Sequence, residues 1–273
     1  MTGPAVRFYT VIRLTPPGGI RSMAQVQLRF YEELNDFLPP ERRKIAFTHA
    51  LTRRTSVKDL IESCGVPHTE VELILANGRS VDFSYIVKAG DSLSVYPVFE
   101  SLDVSPLIRL RDKPLRHPRF VVDANLGQLA RYLRLLGFDA IYRNDFTDRD
   151  VARIASQEKR IVLTRDRALL QHKIITHGYF VRAVKPREQV KEILARLDLY
   201  RALRPFTRCL RCNGALEDVD KEAVLPQLEP KTKQYYDRFR RCQDCGQAYW
   251  KGSHFNRMEK LCDYFAAPPD PVR

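Results

Sequence analysis

The stretch that decides the fold of this chain is residues 120–166, FVVDANLGQLARYLRLLGFDAIYRNDFTDRDVARIASQEKRIVLTRD. It contains two short apolar runs, at 120–122 and 161–163, and each run is followed within three residues by an aspartate, Asp123 or Asp166. The segments between the runs have helical periodicity. An alternation of strands and helices predicts an α/β fold in which helices cover both faces of a parallel sheet.

The same alternation continues beyond this stretch. The pattern predicts strands over 140–143 and 179–184 and an amphipathic helix that Pro186 opens. We therefore assign residues 119–204 to one α/β domain.

Three aspartates at predicted strand ends and helix starts form the candidate catalytic site. Ligands bind beyond the carboxyl ends of strands in open parallel sheets, so Asp123, Asp148 and Asp166 are expected to converge there. Carboxylate oxygens suit Mg²⁺ or Mn²⁺, which can activate water for attack on a phosphodiester. Asp145 and Asp150 are reserve ligands. Each acid has a local alternative. Asp123 could cap the following helix, Asp148 or Asp150 could interact with the positive helix N-terminus, and Asp166 could be an ordinary turn residue.

Basic residues accompany these acids in the sequence. Arg131 and Arg134 follow Asp123 on the first helix, and Arg165 and Arg167 flank Asp166. They could contact RNA phosphates beside the metal, or they could be solvated or paired with acids.

Two cysteine pairs predict a structural zinc site. Cys209 and Cys212 form one Cys-x-x-Cys pair, Cys242 and Cys245 form the other, and 29 residues separate them. Four thiolates make a closed tetrahedral site, so the zinc is expected to stabilise a zinc ribbon over 205–264 rather than to catalyse.

Basic and aromatic residues are interleaved around the second cysteine pair, as in surfaces that bind single-stranded RNA. The predicted RNA contacts in the ribbon are Arg238, Arg240, Arg241 and Lys251. The aromatic residues have an alternative role as the core of a small module.

The N-terminal part predicts a β-grasp, ubiquitin-like domain over 24–100. An alternating strand at 24–31 precedes a helix with Ser56 as its N-cap, an Asn77-Gly78 hairpin and a last strand beginning at Ser92. We interpret 1–23 as a flexible extension, 101–118 as a basic linker and 265–273 as a disordered tail.

Charge is distributed unevenly along the chain. The formal net charge is +13, yet residues 1–105 carry 12 Lys+Arg and 12 Asp+Glu, so the whole excess lies in the remainder. This favours a polyanionic partner for the C-terminal part. The chain shows neither a signal peptide pattern nor a membrane-spanning stretch, and paired cysteines suit a reducing cytosol. We expect a cytoplasmic protein without a membrane partner.

The stretch DANLGQLARYLRLLGFDAIYRND…RIVLTRDRALL resembles the RNase domain named after the C-terminus of the Mut-seven exonuclease, a PIN-like nuclease family. The resemblance implies a metal-dependent ribonuclease with acids at Asp123, Asp148 and Asp166. Bacterial members often join a ubiquitin-like domain, the PIN-like domain and a zinc ribbon, and all three patterns occur here. The N-terminal part resembles the sulfur-carrier branch of the β-grasp superfold, but it continues into further chain without the terminal glycine pair that carriers use.

These observations predict a Mg²⁺- or Mn²⁺-dependent endoribonuclease for structured RNA, such as tRNA or ribosome-associated RNA. The zinc ribbon would position substrate and the β-grasp domain would recruit a protein partner. The alternative is a non-catalytic RNA-binding factor on a PIN-like scaffold. A toxin of a toxin–antitoxin pair fits less well, since such toxins are usually compact single domains.

Overall fold

The computed structural model describes residues 24–97 and 118–267. The predicted extension, all but the last residue of the predicted linker, and residues 268–273 of the predicted tail lie outside these ranges. None of the helices within them is long and apolar enough to cross a membrane.

The N-terminal domain is a five-stranded sheet with one α-helix, and the predicted β-grasp fold is confirmed although one of the five strands was not predicted. Its elements are β1 (Gln25–Phe30), β2 (Ala46–Ala50), α1 (Val57–Ser63), β3 (Val71–Ala76), β4 (Arg79–Val81) and β5 (Ser92–Pro97). The strand order is β2-β1-β5-β3-β4, and β1 runs parallel to β5. This is a β-grasp arrangement.

Local signals in this domain act as the sequence predicts. The Ser56 hydroxyl accepts a hydrogen bond from Asp59 N–H and caps α1. Asn77 and Gly78 both have positive φ, 51° and 79°, as a tight hairpin turn requires. Strand β2 was not predicted, because it is an edge strand without a buried face and thus has little hydrophobic alternation.

The central domain is a four-stranded parallel sheet with helices on both faces. Its elements are β6 (Arg119–Val122), α2 (Gly127–Leu135), β7 (Asp139–Ile141), α3 (Asp148–Glu158), β8 (Ile161–Thr164), α4 (Arg167–Leu170), β9 (Gly178–Phe180) and α5 (Pro186–Arg196). The strand order is β7-β6-β8-β9. The predicted PIN-like α/β fold is confirmed.

Two apolar cores lie on opposite faces of this sheet. Phe120 and Val122 belong to one core, whereas Val121 belongs to the other. Leu163 and Val162 divide between the cores in the same way. Successive side chains of a strand point to opposite faces, so runs that are apolar throughout are what a doubly covered sheet requires.

The C-terminal part adds a small antiparallel sheet and two helices. These elements are β10 (Leu216–Val219), α6 (Pro230–Tyr235), β11 (Phe239–Cys242), β12 (Ala248–Trp250) and α7 (Phe255–Ala266). Helix α7 returns to the central domain, where Cys262 and Phe265 are buried in the larger core. The prediction of a disordered tail is therefore wrong for residues 265 and 266. They belong to α7, because Phe265 packs into the core of the central domain.

A buried ion pair joins the N-terminal domain to the central sheet. Glu70 accepts a hydrogen bond from Phe180 N–H at 2.6 Å, and its other oxygen lies 3.2 Å from Arg182 Nη2. The Glu70 side chain is only 2% exposed. Arg182 also donates to Asp36 at 3.1 Å. Burial alone would lower the pKa of Arg182, but the Glu70 carboxylate raises it.

We predict that Arg182→Ala lowers the free energy of unfolding by about 3–5 kcal/mol, because it removes a charged hydrogen-bond partner of the buried Glu70 carboxylate. Chemical denaturation followed by circular dichroism measures the change. Arg153→Ala is the matched control, since Arg153 forms an exposed pair with Asp150 and its loss should cost less than about 1 kcal/mol. Equal losses in the two variants would contradict the prediction.

Candidate active site and metal centre

The candidate active site lies at the carboxyl edge of the parallel sheet. Strands β6 and β8 are paired in register, with Val122 opposite Leu163. The Asp123 N–H continues this pairing by donating to Leu163 O at 3.0 Å. The strand pairing thus fixes Asp123 directly beyond β6, where the residue is 8% exposed.

Thr164 links two of the predicted acids. Its hydroxyl donates to Asp123 Oδ2 at 2.7 Å and accepts a hydrogen bond from Asp166 N–H at 2.9 Å. Thr164 is fully buried. Thr164 was not predicted as a site residue, although a hydroxyl residue at a strand end beside an acid is the signal that could have identified it.

The Asp166 carboxylate begins a short helix. Its Oδ1 accepts a hydrogen bond from Ala168 N–H at 2.7 Å, so Asp166 is the N-cap of α4. The alternative predicted for this acid was an ordinary turn residue, and the structure makes it a helix N-cap instead. The second carboxylate oxygen has no described protein partner and remains available to a ligand.

Asp148 lies on the same edge by topology. It is the first residue of α3, which follows β7, the strand next to β6. The Asp148 side chain is exposed and has no hydrogen bond within residues 24–97 and 118–267. Helix α3 begins with a capping box between Thr147 and Asp150.

The two reserve ligands are already engaged. Asp150 accepts from the Thr147 N–H at 3.1 Å and from the Thr147 hydroxyl at 2.7 Å. Asp145 forms an exposed ion pair with Arg143 at 2.6 Å. These contacts lower the pKa of both carboxyls: hydrogen bonds from Thr147 dominate for Asp150, and the hydrogen bond from Arg143 dominates for Asp145.

The carboxylate oxygens of the three aspartates suit a hard divalent cation, but the three side chains are too far apart to bind one ion together. Of the His, Cys, Asp and Glu side chains that the structure describes, only the four cysteines form a group whose ligand atoms all lie within 4.8 Å of one another. Asp123, Asp148 and Asp166 share a sheet edge without forming such a group. At least one of them, such as the exposed Asp148, would have to move for all three to share one ion.

Arg131 and Arg134 on α2 have different environments. Arg131 is exposed, as a phosphate contact requires. Arg134 is 4% exposed, and its guanidinium donates to the carbonyl oxygens of Ala140, Leu210 and Arg211. The predicted phosphate contact by Arg134 does not fit this burial. The side chain instead joins the central sheet to the first cysteine pair.

Arg165 and Arg167 are exposed but hold backbone carbonyls. Arg165 donates to Arg182 O at 3.0 Å and also to Ala183 O. Arg167 donates to Phe37 O at 3.1 Å, in the β-grasp domain. Contact of either residue with RNA remains a prediction, and each has a structural partner already.

The four predicted cysteines come together as a candidate zinc centre. Cys209 Sγ lies 3.7 Å from Cys245 Sγ, and Cys212 Sγ lies 3.3 Å from Cys242 Sγ. Four sulfurs around a tetrahedral Zn²⁺ with Zn–S of about 2.3 Å would be about 3.8 Å apart. The cluster could hold zinc, and the small sheet around it has the form of a zinc ribbon.

Hydrogen bonds prepare Cys209 to act as a thiolate. Tyr249 Oη accepts from Leu210 N–H at 3.1 Å and can therefore donate its proton to Cys209 Sγ, also at 3.1 Å. Burial alone would raise the pKa of Cys209, but the bonds from Tyr249 and from Cys212 N–H lower it to about 7. The deprotonated form is the one that binds a metal.

Asn213 fastens the first cysteine pair to β7. Its Oδ1 accepts from Ala140 N–H at 2.9 Å, and its Nδ2 donates to Asp139 Oδ1 at 2.7 Å. Burial alone would raise the pKa of Asp139, but hydrogen bonds from Arg160 and Asn213 lower it. The ribbon and the central sheet therefore share a buried polar contact. Neither Asn213 nor Asp139 was identified from the sequence.

The predicted RNA contacts in the ribbon fall into two groups. Arg240 pairs with Asp218 at 2.9 Å, and Arg241 pairs with Glu217 at 3.3 Å. Arg238 and Lys251 are exposed, and Lys251 Nζ lies 4.9 Å from the centre of the Phe255 ring. Most of the aromatic residues supply the core of this small sheet, as the alternative reading proposed, although Tyr235 is 69% exposed.

A PIN-like parallel sheet with acids at its carboxyl edge, followed by a four-cysteine ribbon, defines a nuclease-like class of α/β domain. The family model described as the Mut7-C RNAse domain matches residues 118–262, more than half of the chain. The chain belongs to this family. A second model, described as Mut7-C ubiquitin, matches residues 23–103. Comparison with curated proteins and with solved structures yielded no match.

We predict that the purified chain holds one zinc ion and that Cys212→Ser loses it. Loss of zinc should also destabilise β7, because Arg134 and Asn213 fasten the first cysteine pair to the central sheet; the effect should be on the order of several kcal/mol. Elemental analysis and hydrogen exchange over 139–141 measure the two effects. Cys64→Ser, at a cysteine outside the cluster, is the control and should keep its zinc. Zinc loss without faster exchange in β7 would refute the coupling.

We also predict that Thr164→Val lowers the free energy of unfolding by about 1–3 kcal/mol, because the Asp123 carboxylate loses its donor and the Asp166 N–H its acceptor. Thr164→Ser keeps the hydroxyl and should retain most of that stability. Denaturant titration of both variants provides the measurement. The hydrogen-bond interpretation fails if the serine variant is as unstable as the valine variant.

Proposed function

We propose that this chain is a metal-dependent endoribonuclease that cuts structured RNA, such as tRNA or ribosome-associated RNA. Asp123, Asp148 and Asp166 would hold Mg²⁺ or Mn²⁺. Arg131 and the exposed cations of the ribbon would contact the phosphate backbone.

The environment of Asp123 carries the proposal. This carboxylate is 8% exposed, and its partner is the neutral hydroxyl of Thr164. It forms no ion pair with any residue in the described ranges. A buried carboxylate without a cationic partner is costly, and a divalent ion at the sheet edge would neutralise it. Asp166 and Asp148 lie at the same edge and add two further oxygen donors.

The side chains around this edge have separate tasks in the proposed reaction. Asp123 and Asp166 are held by their bonds to Thr164, so the two acids keep a fixed relation while substrate binds. Asp148 is free to turn toward a ligand. A bound divalent ion would supply an activated water and stabilise the leaving oxygen. Arg131 would place a phosphate group beside these acids.

The ribbon supports RNA as the substrate. Arg238 and Lys251 are exposed cations, and Tyr235 presents an exposed ring on the same module. Exposed rings stack on unpaired bases while cations contact phosphates, a combination that suits RNA loops and single strands. The excess positive charge of the C-terminal part acts in the same direction.

A second candidate function is a non-catalytic RNA-binding factor on the same scaffold. The observation in its favour is that the three aspartates do not form a group at ligand distance and that Asp166 serves as a helix cap. The ribbon surface would then be the functional site. Cleavage separates the two candidates.

Cleavage of labelled RNA by the zinc-loaded full chain tests the proposal. The substrates are a pool of cellular RNAs and a circular RNA, which has no ends. We expect cutting of both with Mn²⁺ and none with EDTA. Asp123→Asn and Asp166→Asn should each reduce the rate by more than about 100-fold, since even the loss of a residue that only orients a metal ligand costs 10- to 100-fold.

Asp198→Asn is the matched control, because Asp198 is exposed and lies outside the sheet edge. It should cut at the wild-type rate. Cutting of linear but not circular RNA would establish an exonuclease instead. Tight binding by wild type and both Asn variants, without cutting in Mn²⁺, would reject catalysis and leave the RNA-binding factor.

A further inference from the structure

The segment that follows Asp166 is held by the β-grasp domain at three points. Arg167 and Gln171 lie at the two ends of α4, and Ile175 lies in the loop beyond it. Each makes a hydrogen bond to a residue more than 100 positions earlier in the chain. These three contacts span the chain immediately after a proposed metal ligand.

Arg167 provides the first contact. Its guanidinium donates to Phe37 O at 3.1 Å and to Asp36 O at 3.3 Å. The same group lies 5.1 Å from the centre of the Phe37 ring and 5.7 Å from that of Phe180. Two hydrogen bonds and two ring contacts fix this side chain, although the residue as a whole is exposed.

Gln171 and Ile175 provide the other contacts. Gln171 Nε2 donates to the backbone oxygen of Glu62 at 3.3 Å. His68 Nε2 lies 2.9 Å from Ile175 O, and it donates there because a carbonyl oxygen only accepts. His68 is itself held by the Glu62 carboxylate at 2.6 Å from its Nδ1. The end of α1 and the residues after it therefore fix the far end of the segment.

The length of α4 explains why such support matters. The helix has only four residues, Arg167–Leu170, and isolated helices of this length are not stable. Its N-cap is the Asp166 carboxylate, so the position of that carboxylate depends on the helix being formed. Leu169 and Leu170 anchor α4 to the sheet, and the β-grasp domain supports its two ends.

We propose that the β-grasp domain is a fixed bracket of the active site: through Arg167 and Gln171 it orders the turn that presents Asp166. Arg167 is then a positioning residue rather than a phosphate contact. The catalytic part of this inference rests on the proposed ribonuclease function, whereas the ordering of the turn does not. The face that carries Phe37, Glu62 and Glu70 is occupied by the central domain and is not available to another partner.

Hydrogen–deuterium exchange of the zinc-loaded full chain tests the ordering. We expect Arg167→Ala to accelerate exchange over residues 166–171 by about tenfold, the change expected when roughly two hydrogen bonds are lost from a local opening equilibrium. Gln171→Ala should have a smaller effect in the same direction. Arg167→Lys, which can keep one bond, should restore most of the protection.

Arg196→Ala is the matched control. Arg196 forms an ion pair with Glu33 across the same domain interface, and it lies at the end of α5 rather than in the segment 167–175. It should leave exchange at 166–171 unchanged. If Arg167→Ala also leaves that exchange unchanged, the bracket is refuted.

RNA cleavage by the same variants tests the positioning role. With Arg167→Ala we expect a lower kcat, a higher Mn²⁺ requirement and an unchanged KM for RNA. Arg167→Lys should partly restore kcat and the Mn²⁺ requirement. A raised KM that depends on salt, with normal exchange, would overturn the proposal and make Arg167 a phosphate contact. If wild type does not cleave, the ribonuclease proposal fails, and the exchange result alone decides whether the bracket exists.

Discussion

The in-register pairing of β6 with β8 is the constraint on which the rest of the structure depends. Because Val122 lies opposite Leu163, Asp123 is placed beside Thr164 at the point where both strands end. The Thr164 hydroxyl then reaches both the Asp123 carboxylate after β6 and the backbone N–H of Asp166 after β8. Apolar side chains on the two faces of the sheet stabilise the pairing. The geometry of the acids therefore follows from burial and not from attraction between the acids, whose negative charges repel each other.

Buried arginines connect the three parts of the chain. Arg134 joins the central sheet to the first cysteine pair by binding carbonyl oxygens, and Arg182 joins it to the β-grasp domain through a carboxylate. The planar guanidinium has five donors in a fixed arrangement and suits such multiple contacts. Part of the positive charge of this chain is thus bound to carbonyl and carboxylate groups inside the protein. Net charge alone therefore overstates the unpaired positive charge at the surface. Arg131 and Arg238 are exposed and have no partner among residues 24–97 and 118–267.

Sequence patterns identified the features that depend on near neighbours. The two apolar strands, the Ser56 N-cap and the Asn77-Gly78 turn each follow from residues a few positions apart, and the structure contains all of them. The pairing of the cysteines was also predictable, since metal-ligand spacing is a local signal. The roles of Thr164 and Arg134 were not, because their partners are set by which elements pack together. Strand β2 was missed for a related reason: an exposed edge strand carries little hydrophobic pattern.

The β-grasp domain and the zinc ribbon each cover one edge of the central sheet. Strand β9 is an edge strand, and an uncovered edge leaves backbone groups unpaired. Glu70 covers part of that edge by accepting from Phe180 N–H, while at the opposite edge Asn213 accepts from Ala140 N–H on β7. Each flanking module therefore completes one side of a four-stranded sheet. A central domain whose two edges are covered by its neighbours leaves the carboxyl end of its sheet open. Asp148 and Asp166 are exposed there, where a polyanionic substrate and a divalent ion could meet them.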